Sequence, residues 1–205
     1  MEARIAVLAS GRGTNLQALL GHPSVGSRVA LVVSDRARAG ALDRARLAGV
    51  EAVHLDPAAH AGRQDHDLAL VTLLRDRRIG LVCLAGYMRI LTPGLVRAFW
   101  ARIVNVHPSL LPAFAGAHAI REALAWGVKV TGVTVHLVDE EVDHGPILAQ
   151  EAVPVHDDDD EDSLRARIQQ VEHRLYPETV EALLDGRLRL EGRRTRRTAP
   201  SRPSP

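Results

Sequence analysis

Asn105 and His107 stand two apart in Asn105-Val106-His107-Pro108-Ser109-Leu110-Leu111-Pro112, just after the apolar pair Ile103-Val104. Positions two apart on a strand project from one face, so an amide and an imidazole address the same small volume. Pro108 biases His107 toward extended geometry, and Pro112 stiffens the far side of the loop. An imidazole moves protons near neutral pH, and an amide can donate to a developing oxyanion. The acidic, turn-rich stretch Glu140-Glu141-Val142-Asp143-His144-Gly145-Pro146 supplies a third group. Asp143 is the acid expected to pair with His107, stabilising its imidazolium and raising its pKa. Taken alone, Asn and His at a strand end also serve merely to satisfy loop backbone.

A second chemical signal is Ser10-Gly11-Arg12-Gly13-Thr14-Asn15, between an apolar run over residues 5–9 and a short helix carrying Leu16, Leu19 and Leu20. Strand, glycine-rich turn and helix start together present backbone N–H groups to a phosphate. Leu16 occupies the third glycine position of a dinucleotide fingerprint, and no Gly-Lys-Thr/Ser loop is present. The turn therefore suits a single phosphomonoester, with Thr14 and Asn15 as added donors. A plain turn capped by Asn or Thr is the structural alternative. Asp35, near the spacing of a ribose-binding acid, is read as a turn or cap residue.

Other clusters promise less. The run Asp157-Asp158-Asp159-Asp160-Glu161-Asp162 points its carboxylates in divergent directions, which suits the start of a helix near Ser163 better than a metal ion. His107, His118, His136 and His144 lack the spacing of a ligand motif, and no Gly-x-Ser-x-Gly elbow appears. No metal is expected.

Buried runs at residues 29–33, 52–55, 81–85 and 103–107 alternate with helical stretches at 41–48 and 67–77 and a helix opened by Thr92-Pro93. Such alternation predicts an α/β fold: a single-domain, Rossmann-like open sheet with helices on both faces and ligands beyond the carboxyl ends of its strands. Residues 113–119 and a helix over 120–126 form a candidate lid, since they link two anchored ends. A β-branched strand over 130–137 and a further strand over 147–155 make the carboxyl-terminal half mixed. A helix over 164–184 is expected to be interrupted at Pro177, and it places Gln169 and Glu172 on one face. Residues 1–186 would form the domain. Residues 187–205, basic and without core material from Gly192 onward, are read as a disordered tail.

Composition narrows the function. At 205 residues the chain can bury one proper core, and 46% hydrophobic with 25% charged residues is ordinary for a globular protein. Only 3% of residues are aromatic, which argues against a reader that stacks nucleic-acid bases. A net charge of +1 gives no case for a polyanionic partner. The single cysteine, Cys83, lies within an apolar run as a buried thiol would. No signal peptide or membrane span is visible, so a cytoplasmic protein is expected.

The chain resembles the phosphoribosylglycinamide formyltransferases over residues 5–186. The resemblance rests on Ser10 to Asn15, Leu84-Ala85-Gly86-Tyr87-Met88-Arg89-Ile90-Leu91, Asn105 to Pro112, Val142 to Pro146, and Glu172-His173 with Tyr176-Pro177. It implies the formyltransferase fold and transfer of a formyl group from 10-formyltetrahydrofolate to the amine of phosphoribosylglycinamide in purine synthesis. It implies a catalytic trio of Asn105, His107 and Asp143. Gly13, Thr14 and Asn15 would hold the substrate's phosphate, with Gln169 and Glu172 near its amine and ribose. Arg63 and the segment Met88, Arg89, Ile90 and Leu91 would contact the folate, alongside Asn105. The lid sequence Ala113 to Ala119 departs from the family pattern in lacking a proline and a threonine. Partners would be these small molecules alone, with no nucleic acid or membrane, in a monomer or homodimer. Two rivals stay open: another formyl-folate enzyme, acting on methionyl-tRNA or hydrolysing formyl-folate, and a phosphoribosyl-binding module without turnover.

Overall fold

A computed structural model describes residues 3–197. Its apolar runs form strands whose alternate side chains feed two cores, one on each face of the sheet. In β1 (Arg4–Leu8), Ile5 and Val7 join one core while Ala6 and Leu8 join the other. β2 (Val29–Ser34), β3 (Glu51–His54), β4 (Ile79–Leu84) and β5 (Ile103–His107) run parallel to β1. β6 (Val130–Leu137) pairs antiparallel with β5, and β7 (Ile147–Pro154) antiparallel with β6, giving the order β3-β2-β1-β4-β5-β6-β7. The expected α/β sheet, parallel first and mixed later, is the one observed.

On one face lie α1 (Thr14–Gly21), α2 (Gly40–Leu47), α5 (Ala119–Trp126) and α6 (Glu161–Leu184). α3 (Arg63–Asp76) and α4 (Pro93–Ala98) cover the other. α3 starts four residues before the expected 67, which brings Arg63 into its first turn. The acidic run opens α6 through a capping box between Asp160 and Ser163, and Arg167 pairs with Asp159 at 2.6 Å.

Two expectations fail. Pro177 does not interrupt α6, although it removes one backbone donor. Its neighbour Tyr176 is fully buried and its hydroxyl reaches the carbonyls of Leu84 (3.0 Å) and Val104 (3.1 Å), so packing onto the sheet holds the helix together. The segment from 187 is not simply a tail. β8 (Leu188–Glu191) and β9 (Arg194–Arg197) form a hairpin that leans on β7 through the Thr195 hydroxyl and the Ile147 carbonyl at 2.7 Å. Arg196 pairs with Glu191 across it at 2.9 Å. Cross-strand pairing of polar side chains needs little core, which composition could not reveal. Residues 198–205 lie outside the described residues.

Register is what positions the site. Leu8 pairs with Leu84, and Leu84 with Asn105, so β5 continues two residues past the ends of β1 and β4. That overhang carries His107.

Candidate active site

Asn105 and His107 do project together, and β6 completes their surroundings. The antiparallel register sets His136 opposite Asn105 and Thr134 opposite His107. The His136 Nδ1–H donates to the Leu137 carbonyl at 2.8 Å, which leaves Nε2 to accept from the Asn105 amide at 3.1 Å. The other hydrogen of that amide points to Asp143 Oδ1 at 3.4 Å. Asp143 lies with Oδ2 3.3 Å from His107 Nδ1 and with Oδ1 3.6 Å from His136 Nε2. The three expected catalytic groups thus share one cluster, with the buried His136 as a fourth member.

The lid closes over this cluster. His107 Nε2 donates to the Phe114 carbonyl at 2.8 Å, and the Gly116 N–H donates to Asp143 Oδ2 at 2.8 Å. Phe114 and Asp143, on the two sides of this contact, both have φ of +52°. Non-glycine residues held there cost on the order of 1 kcal/mol each, strain that gathers where function constrains the backbone.

Both ring nitrogens of His107 face acceptors, an arrangement that only the imidazolium fills completely. Burial of the ring nevertheless outweighs the pull of Asp143 and of the Phe114 carbonyl, so the His107 pKa lies below the ordinary histidine value. This corrects the expectation of a raised value: the carboxylate is present, but the ring is buried, which disfavours its charged form. Burial pushes Asp143 upward. The nearby imidazoles of His136 and His107 and the hydrogen bond from the Gly116 N–H together bring it below its usual range.

The glycine-rich turn behaves as its sequence suggests. Gly13 caps α1 at φ +76°, and a Cβ there would stand 2.7 Å from the Ala41 Cα, so both conformation and space require glycine. Thr14 and Asn15 open the helix. The Asn15 amide donates to Glu172 Oε2 on α6 at 3.0 Å, while its own Oδ1 is buried without a hydrogen-bond partner. Burial raises the Glu172 pKa to about 7, opposed by the Asn15 hydrogen bond. Gln169 lies one turn earlier on α6, half-buried, and its side chain has no hydrogen-bond partner among the described residues.

Between the two groups lies the segment after β4. Met88 and Ile90 are exposed, Arg89 is half-buried and Leu91 is buried. The segment is tied at both ends: the Met88 N–H donates to the Ser10 hydroxyl at 2.9 Å, and the Thr92 N–H to Asp67 Oδ2 at 2.7 Å. Arg63, exposed, stands one turn before Asp67 on α3. Sequence reasoning missed His136, Ser10 and Asp67 as supports of the site. His136 was weighed only as one of four histidines for a metal site and as one residue of an alternating strand, and its place opposite Asn105 could not be read. Asp35 does not act as a cap. Its Oδ1 is buried without a partner, and the Ser34 hydroxyl instead accepts the Arg36 N–H at 3.1 Å.

Among the described residues, no group of three or more His, Cys, Asp or Glu is arranged to hold a metal ion, and no helix is long and apolar enough to cross a membrane. The cluster can move a proton through His107 and polarise a carbonyl, beside a turn that can take a phosphate.

Comparison with known proteins gives the family. Residues 3–180 match the formyl transferase family. A protein named phosphoribosylglycinamide formyltransferase from Mycobacterium tuberculosis (strain ATCC 25618 / H37Rv) is 45% identical over 194 residues, 93% of this chain and 89% of that protein. The trifunctional purine biosynthetic protein adenosine-3 of Drosophila melanogaster is 43% identical over 89% of this chain, which spans only 14% of that longer relative. The crystal structure of glycinamide ribonucleotide transformylase 1 from Symbiobacterium toebii superposes with a TM-score of 0.94 at 53% identity, covering 97% of this chain and 95% of that one.

Proposed function

The chain belongs to the formyl transferase family, and we propose that it moves a formyl group from 10-formyltetrahydrofolate to the amine of 5-phosphoribosylglycinamide, yielding the N-formyl ribonucleotide and tetrahydrofolate in purine synthesis. The observation that carries this reading is the cluster of Asn105, His107 and Asp143 on the same sheet edge as the Gly13 turn and Glu172. A phosphoribosyl-binding module without turnover would have no use for a carboxylate beside His107.

In this reaction the amine attacks the formyl carbon, a C–N bond forms, the bond from that carbon to N10 breaks, and one proton passes from the amine to N10. His107, neutral at rest with its hydrogen on Nε2, is suited to pass that hydrogen toward N10 while the amine's proton replaces it. The growing negative charge on the formyl oxygen, together with Asp143, favours the imidazolium as it forms. The formyl oxygen would replace the Phe114 carbonyl at Nε2, so productive binding displaces the lid. Asn105 gives up its longer contact with Asp143 to donate to the same oxygen, while His136 keeps its amide oriented. Loss of one such donor commonly costs about two to three powers of ten in rate.

Gly13, Thr14 and Asn15 would hold the 5′-phosphate, with Gln169 and Glu172 toward the ribose and amine. Met88 to Leu91 and Arg63 would receive the folate. The reaction needs no metal, takes place between small molecules in the cytoplasm, and suits a monomer or homodimer. The test is release of tetrahydrofolate from 10-formyltetrahydrofolate with and without the ribonucleotide. Release that requires the ribonucleotide is expected, and His107→Ala should abolish it while ribonucleotide binding persists. Release by water alone would turn the assignment to a hydrolase.

A further inference from the structure

Beyond the carboxyl ends of β1 and β2 lies a cavity of about 710 Å³, lined on one side by Ser10, Gly11 and Arg12 of the glycine-rich turn and by none of Asn105, His107, Asp143 or Met88 to Leu91. Arg12 from the glycine-rich turn, Arg36 and Arg38 from the loop after β2, and Arg44 from α2 converge on it. α1 separates this cavity from α6, because α1 packs against α2 on one side and α6 on the other. The cavity and the Asn15–Glu172 contact therefore lie on opposite flanks of the Gly13 turn.

The charges around it are not neutralised by the protein. Elsewhere arginines meet carboxylates, as Arg77 meets Glu51 and Arg187 meets Glu181, both at 2.8 Å. Among the described residues, Arg12, Arg36 and Arg38 meet none, and all three are exposed. Arg44 is held by neutral acceptors, the Arg12 carbonyl at 2.9 Å and Gln17 Oε1 at 3.0 Å, so its charge also stands. The one acid in the lining, Asp43, is engaged by Arg46 at 2.8 Å. Four guanidiniums lining one cavity with a single carboxylate, itself paired to Arg46, leave an excess of positive charge, and their planar forks match phosphate oxygens.

A phosphomonoester, with at most two charges, would leave part of this field unanswered. A row of phosphates answers it. The volume falls within the roughly 300–1,000 Å³ typical of small-molecule sites, and the rim carries Leu47, 90% exposed, as an apolar surface for a base. We infer that this cavity binds a nucleoside polyphosphate, on the α2 side of the glycine-rich turn and away from the Asn15–Glu172 contact.

Calorimetric titration of the full chain with ATP, pyrophosphate and inorganic phosphate tests this. ATP should bind more tightly than pyrophosphate, and pyrophosphate more tightly than phosphate, with affinities that fall as salt is added. Arg36→Ala/Arg38→Ala should weaken ATP at least tenfold, and both side chains are exposed, so folding is spared. Asn15→Ala, which strikes the substrate turn, should leave ATP binding unchanged. Absence of ATP binding at millimolar concentration would overturn the inference, as would binding lost in Asn15→Ala but kept in the double variant. Pyrophosphate as tight as ATP would remove the nucleoside from the assignment.

Discussion

The backbone carbonyl of Phe114 accepts a hydrogen bond from His107 Nε2 at 2.8 Å, so the lid occupies the nitrogen that a reacting oxygen would need. The same loop spends the Gly116 N–H on Asp143, and lid and catalytic pair hold each other closed. Were the loop to open, the ring would meet water and lose burial, the main cause of its low pKa.

Gly116 is where that coupling can be loosened. Its φ of +98° is poorly suited to a side chain, so Gly116→Ala should weaken the closed lid by about 1 kcal/mol. Histidine titration by NMR should place His107 below the ordinary value in the native protein and move it upward in the variant. A native value at or above the ordinary one, or a variant that does not move, would contradict the account.

Asp143→Asn removes the charge that raises the His107 pKa against burial. Proton transfer begins from the neutral ring, so kcat/KM falls as pH drops through that pKa. Without the carboxylate the pKa falls further, and the acid limb should shift to lower pH while the plateau rate drops about 10- to 100-fold. A limb that stays in place would separate the two residues functionally.

Glu172 makes stability depend on pH in a predictable direction. Its folded pKa is raised to about 7 from 4.5, so the stability linked to its proton is complete below about pH 4.5 and is lost as pH rises through 7. Gln cannot lose a proton and still offers an oxygen to Asn15. Urea unfolding should show Glu172→Gln near the native protein at pH 5 and more stable at pH 8.5, by up to about 3 kcal/mol. A gap that does not widen between those pH values would refute it.

Tyr176→Phe should cost about 1 kcal/mol, because two buried carbonyls, of Leu84 and Val104, lose their contact with its hydroxyl. A melting temperature lower by several degrees would show it. An unchanged temperature would mean that packing alone docks α6.

Much of this was legible because the signals were local. Runs such as Ile5-Ala6-Val7-Leu8 can only be strands buried on both faces, and the Gly13 turn follows from residues adjacent in sequence. The pairing of His107 with Asp143 was reachable because strand-end chemistry asks for an acid. His136 was not reachable: its role comes from sitting opposite Asn105, a fact of register between residues 31 apart in sequence. The low pKa of His107 escaped for a related reason, since burial by a lid cannot be read from the acid that partners the ring. The β8–β9 hairpin escaped because polar cross-strand pairs leave no hydrophobic period.

The offset of β5 against β4 also makes the cleft itself. With Leu84 level with Asn105, the sheet ends in a step: the parallel strands stop, and β5, braced by β6 alone, rises beyond them as a wall. The tread of that step is where the Gly86–Leu91 segment lies, and its riser presents His107. Sliding β5 down by two residues would keep every side chain of the trio and flatten the step, leaving a smooth edge with nowhere to seat two substrates. The proposed transfer would therefore depend on a strand offset as much as on the reactive groups themselves.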